Sequence, residues 1–261
     1  MSGRNSRDNR RRALDEARQA QQRRKRRLRL AAWAGAVVVV AGAGLGVGLG
    51  LSGSGGSSGP VAGAGSTASY GPLSSLGTLT AAPAPGSLGP ENVPIPSVPE
   101  LAGTSAATAG QAIDGIGCQT SEQTVFHIHT HLTIFVNGQQ RQVPAAIGIP
   151  NPKAAQSRGG VFVGSGKCYY WLHTHSADGI IHIESPVQRT FNLGEFFDIW
   201  GQPLGPDQVG PAHGRVTVFV NGQWSQGNPR NVQLGSHEDL TVEVGAPLVS
   251  PPQTDWSITG L

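Results

Sequence analysis

Residues 125–139, VFHIHTHLTIFVNGQ, decide how the rest of the chain is read. Successive side chains of an extended strand point to opposite faces, so Phe126, Ile128, Leu132, Ile134 and Val136 share one face and His127, His129 and His131 share the other. Asn137-Gly138 then carries the signature of a two-residue type I′ turn, with the chain returning through Gln140 to Val143. The unit recurs: LTIFVNGQ at Leu132–Gln139 matches VTVFVNGQ at Val216–Gln223 in six of eight positions. Two hairpins of one design predict a β domain with two related sheet elements.

Working outward, Cys168–His175, a turn at Ser176-Ala177-Asp178-Gly179 and Ile180–Glu184 predict another hairpin. A loop of two or four residues sets Trp171 opposite Glu184 and His173 opposite His182; a three-residue loop with a bulge shifts that register. Asn192 with Glu195 three positions on is a capping-box pattern, opening a short helix from Leu193 to Trp200 that Gly201 ends. One helix among many strands predicts a mainly β (α+β) domain, a small sandwich or open barrel with one packed helix.

Six of the eight histidines fall between His127 and His182, as H-x-H-x-H, as H-x-H at His173 and His175, and as H-x-E at His182 and Glu184. Imidazoles two apart on a strand can converge on one ion at about 2.0–2.1 Å per nitrogen, and a neighbouring antiparallel strand can add a third ligand. The candidate ligands are therefore His127, His129, His131, His173, His175, His182 and Glu184, expected to converge, with Glu184 as fourth ligand or as an acceptor fixing a tautomer. Imidazole with carboxylate suits zinc or copper(II), then iron(II) or nickel, rather than calcium or magnesium. The bland alternative is a structural network of hydrogen-bonded histidines.

The segments DGIGCQTSEQTVFHIHTHLTIFVNG, CYYWLHTHSADGIIHIESPVQRTFNLGEFFDIWGQPLG and VTVFVNGQ resemble a family of secreted or membrane-anchored prokaryotic His-rich β-domain proteins. The resemblance runs from Asp114 to about Gly245. It implies placement outside the cytoplasm and brings no activity with it.

Charge organises the remainder. Residues 1–29 hold twelve Lys and Arg against three acids, a net +9, whereas the whole chain is +3, so the residues that follow carry −6. The basic balance belongs to a tail, and a nucleic-acid partner is not indicated. Leu30 to Leu51 is a run of 22 residues without charge or proline, about 33 Å as a helix and so long enough to span a bilayer. Flanking positive charge on its N-terminal side predicts a single-pass plasma-membrane anchor with the N-terminus cytoplasmic and the C-terminal part outside, in contact with membrane lipid. A cleaved signal peptide, with Ala31–Val40 as its apolar region, is the alternative and would give a secreted protein. Gly42, Gly46 and Gly50 share a helix face and allow weak homodimerisation. Residues 52–111, rich in Gly, Ser, Ala and Pro, predict a disordered stalk. Residues 112–261 then form the domain, with all seven Phe and all eight His.

Cys118 and Cys168 both lie in the exported part, an even count in an oxidising compartment, and predict a disulfide. No phosphate loop or Cys-x-x-Cys occurs. Three function classes follow. Metal capture, buffering or sensing at the cell envelope leads; a metal-dependent hydrolase or non-haem iron oxygenase is second; a structural or adhesive envelope module without metal is third.

Overall fold

The strand at Phe126–Val136 is the spine of the domain, and its alternation is the one expected: Leu132 and Ile134 are buried in the main core, against which Phe126, Ile128 and Val136 pack. The computed structural model describes residues 69–104 and 109–261, which belong to a compact unit spanning Gly63–Leu261. The basic segment 1–29, the apolar run 30–51 with Gly42, Gly46 and Gly50, and residues 52–68 lie outside the described residues. Among the described residues no helix is long and apolar enough to cross a membrane.

In chain order the strands are β1 (Ser69–Gly71), β2 (Ser87–Leu88), β3 (Pro94–Ile95), β4 (Cys118–Gln119), β5 (Phe126–Val136) and β6 (Gln139–Arg141). There follow β7 (Lys153–Ser157), β8 (Gly160–Ser165), β9 (Tyr169–Tyr170), β10 (Leu172–His173) and β11 (Ile180–Ser185). After helix α1 (Leu193–Trp200) come β12 (Leu204–Gly205), β13 (Gln208–Val209), β14 (Ala212–His213), β15 (Val216–Val220), β16 (Gln223–Gln226) and β17 (Glu238–Val244), and the short helix α2 (Trp256–Thr259).

Eight strands form the principal sheet in the order β1-β16-β15-β17-β5-β11-β10, with β6 paired to β5. The protein is thus mainly β, with its core built on one sheet. The long β5 is shared. β11 runs antiparallel along Phe126–His131, β6 pairs with Ile134–Val136, and β17 runs parallel along Thr130–Val136. The two Asn-Gly hairpins form as expected: Asn137, Gly138, Asn221 and Gly222 all have positive φ, as a type I′ turn demands. Both hairpins border β17, which lies between β15 and β5.

Helix α1 has the expected bounds. The Asn192 side chain accepts from Glu195 N, the Glu195 carboxylate accepts from Asn192 N, and Gly201 closes the helix in the left-handed region. Its Leu193, Phe196, Phe197, Ile199 and Trp200 are buried in the core. Cys118 and Cys168 are joined in a disulfide, with Cα atoms 5.4 Å apart, beside the β4–β9 ladder in which Cys118 pairs with Tyr170.

One expectation needs correction. The stalk reading of 52–111 does not hold over its described part, and the domain does not start at 112. β1 pairs with β16 at the sheet edge, Thr80 N donates to the Leu248 carbonyl while the Thr80 carbonyl accepts from Ser250 N, and Leu101 N donates to the Gln142 carbonyl. Glu91, Val93 and Leu101 are buried. A Pro-rich segment cannot bury enough apolar surface on itself, but here it buries that surface on a preformed sheet, which also supplies partners for its backbone.

Candidate metal centre

Three strands carry the histidines into one place. The antiparallel register sets His173 of β10 opposite His182 of β11, and His182 opposite His129 of β5; one pleat further on, Glu184 faces His127. The sheet face opposite the apolar core therefore carries a row of imidazoles that is almost wholly shielded from solvent. His129, His173, His175, His182 and Glu184 are all buried, whereas His127 sits at the edge, about two-fifths exposed.

The ligand atoms fall into two overlapping sets, each with its members within 4.8 Å of one another: His127, His129, His182 and Glu184, and His173, His175, His182 and Glu184. His127 Nε2 is 3.0 Å from His129 Nε2 and 3.0 Å from Glu184 Oε1. His173 Nε2 is 3.2 Å from His175 Nε2. Two nitrogens bound at about 2.05 Å to one ion stand about 2.9 Å apart at a right angle and about 3.4 Å apart at the tetrahedral angle, so both separations fall in the range a metal ion imposes.

The tautomers make the second pair informative. His173 Nδ1 lies 2.8 Å from the Tyr170 carbonyl and His175 Nδ1 lies 2.6 Å from the Val163 carbonyl. A carbonyl only accepts, so each Nδ1 carries a proton and donates it. In the neutral rings both Nε2 atoms then present bare lone pairs to each other. Such an arrangement is repulsive unless a cation stands between them. Anchoring the far nitrogen on a backbone carbonyl is also how proteins orient metal-bound histidines. Phe162 stacks on the His175 ring at 4.8 Å, closing the site from the β7–β8 side. Gly148, at φ 70°, permits close approach behind His173: a Cβ there would stand 2.3 Å from the Leu172 carbonyl.

The electrostatics are divided. Burial, reinforced by the charges of His182 and His127, pushes His129 down to about 3. Burial and the neighbouring His182 hold His173 well below, and His175 below, the ordinary imidazole value. Burial also opposes charge on His182, but the carboxylates of Glu184 and Glu91 outweigh it and raise that ring to about 9. For Glu184 burial favours the acid, yet His127 and His182 prevail and keep it ionised well below the usual carboxylate range. The neutral imidazoles of His129, His173 and His175 beside an ionised carboxylate form a donor set suited to zinc or copper(II). Glu184 Oε2 and His182 Nδ1 are buried without a hydrogen-bond partner, and the carboxylate oxygen is a further unspent ligand atom.

Of the seven expected ligands, six come together and His131 does not. It lies opposite Ile180, at the level of the Asp178-Gly179 turn and beyond the reach of β10. Its Nε2 bonds the Asp178 carbonyl at 2.9 Å and its Nδ1 bonds Thr254 Oγ1 at 3.0 Å. Its role is to tie the C-terminal segment to the sheet.

Two acids reach the cluster that the His pattern left out. Glu91 Oε1 accepts from His182 Nε2 at 2.8 Å, and Glu122 Oε1 lies 3.5 Å from His175 Nε2. Glu122 is half-exposed, and burial followed by the Glu184 charge raises its pKa. The signal for Glu91 was slight: a lone acid just before the apolar Val93-Pro94-Ile95-Pro96 run. Comparison of the chain with protein-family models, curated proteins and solved structures found no match, so the reading of this His/Glu cluster as a centre that could hold a metal rests on its own geometry.

Proposed function

We propose that this chain is a membrane-tethered protein whose β domain, outside the cytoplasm, captures a transition metal ion, zinc or copper in preference to iron. The observation that carries the reading is the pair of bare Nε2 lone pairs of His173 and His175, facing each other at 3.2 Å in a buried site. The placement outside is supported by the +9 charge ahead of the apolar run and by the disulfide. The test is elemental analysis of the full chain purified in detergent after exposure to micromolar zinc, copper, iron and nickel. Replacing His129 and His173 together by Ala abolishes uptake, while His213→Ala, on exposed β14, leaves it unchanged. A wild-type protein that takes up none of the four, or a double variant that keeps its metal, leaves the histidines as a structural network and sinks the proposal.

A second reading, a metal-dependent hydrolase, is favoured by one feature. Glu122, half-exposed with a raised pKa beside His175, stands where a general acid or base would serve a metal-bound water. Hydrolysis of an activated ester by the zinc-loaded protein, lost in Glu122→Gln with zinc retained, distinguishes an enzyme from a capture site.

A further inference from the structure

The two histidine pairs each reach metal-site spacing, yet they do not reach each other. Among the described residues no group of three or more ligand atoms within 4.8 Å joins His127 or His129 to His173 or His175; His182 and Glu184 are what the two sets share. An ion with bonds of about 2.0–2.1 Å cannot hold two ligand atoms more than about 4.2 Å apart, even on opposite sides. One ion therefore cannot collect both pairs.

We propose, resting on the metal reading above, that the cluster holds two transition metal ions side by side. One is bound by His127 and His129, the other by His173 and His175, with Glu184 bridging them through its two oxygens. The bridging role is drawn from the carboxylate itself. Oε1 stands 3.0 Å from His127 Nε2, in the first set, while Oε2 is buried without a hydrogen-bond partner. A carboxylate bridge sets two ions about 3.5–4 Å apart. His182, between the pairs, completes one of the two sites.

Charge points the same way. Three carboxylates, Glu91, Glu122 and Glu184, converge on the cluster, and in the described structure their ion-pair partners are histidines, with no Lys or Arg among them. The ligand class is thus a pair of divalent ions of the zinc or copper(II) type.

The experiment is a titration of the full chain in detergent micelles, stripped with chelator, using cobalt(II) as visible probe and copper(II) as magnetic probe. The expected result is two equivalents bound per chain, and a copper-loaded protein whose paramagnetic resonance signal is reduced by coupling between neighbouring ions. His127→Ala, at the exposed edge of the cluster, is expected to bind one equivalent, and so is His175→Gln. Glu184→Gln is expected to abolish the magnetic coupling. Saturation of the wild type at one equivalent overturns the two-ion proposal while leaving metal capture standing. No uptake at all overturns both. Loss of every bound ion in both single variants, with the fold intact by circular dichroism, also means one site and overturns it.

Discussion

His182 Nε2 and Glu91 Oε1 stand 2.8 Å apart and buried, although ninety-one residues of chain separate them. The bond ties the Pro-rich segment that carries Glu91 directly to the histidine cluster. Removing the acceptor leaves a buried N–H without a partner, which costs about 1–3 kcal/mol. Glu91→Ala is therefore expected to lower the stability of the metal-free protein by that amount, measured by urea unfolding. A loss below about 0.5 kcal/mol means that the segment merely rests on the site.

A second acid governs the response to pH. Glu243, on central strand β17, is 1% exposed; its Oε2 accepts from Val249 N at 2.8 Å and its Oε1 has no partner. Burial, opposed by the Val249 hydrogen bond, raises its pKa from 4.5 to about 7. The folded state therefore holds the proton more tightly than the unfolded chain. The resulting stabilisation is full below pH 4.5 and is lost as pH rises through 7, on the order of 3 kcal/mol. Between pH 5 and pH 8 the wild type should lose unfolding free energy relative to Glu243→Gln, whose amide oxygen keeps the Val249 contact. Parallel behaviour of the two proteins would show that this carboxyl does not carry the effect.

The topology can be read with protease. Added to intact cells, it is expected to release a fragment carrying the histidine cluster, cut upstream of Ser69, because residues 69–104 are hydrogen-bonded to the domain. Protection until the membrane is lysed refutes the orientation. A fragment that begins after Leu101 refutes the docking of the upstream segment.

The disulfide closes fifty residues, worth about 4 kcal/mol on the chain-entropy account. Replacing Cys118 and Cys168 by Ser is expected to lower stability by about 2–4 kcal/mol in chemical denaturation, and an unchanged midpoint contradicts that. The β4–β9 ladder beside it positions Tyr170, whose carbonyl fixes His173, so the double variant should also weaken metal uptake.

Local signals in the sequence carried most of the fold. The period-two pattern of β5, the two Asn-Gly turns and the Asn192–Glu195 capping box each act within a few residues, where steric and hydrogen-bonding preferences are strong. The His173–His182 pairing was legible because hairpin loop length sets register. His131 was misplaced for a related reason: alternation tells which face a side chain takes, but how far along β5 the neighbouring strands extend is a tertiary fact. Glu91 and the order of residues 69–104 were not legible, because composition reports what a segment can bury on itself and not what another part of the chain offers it. Glu122 lies in a loop, where no periodicity marks a side chain's direction.

Strand β17 has a consequence for how the chain reaches this state. It sits between the two Asn-Gly hairpins, parallel to β5 and antiparallel to β15, yet it begins at Glu238, about a hundred residues after β5 ends at Val136. Each hairpin can close on its own as the chain emerges N-terminus first, but the two cannot join until the strand between them arrives. The β5 edge that β17 covers must therefore stay open until some hundred further residues have been made. Pairings over so long a separation are slow and leave unpaired strand edges exposed meanwhile. For this protein the hazard of misassembly is concentrated in the interval between the completion of β5 and the arrival of β17.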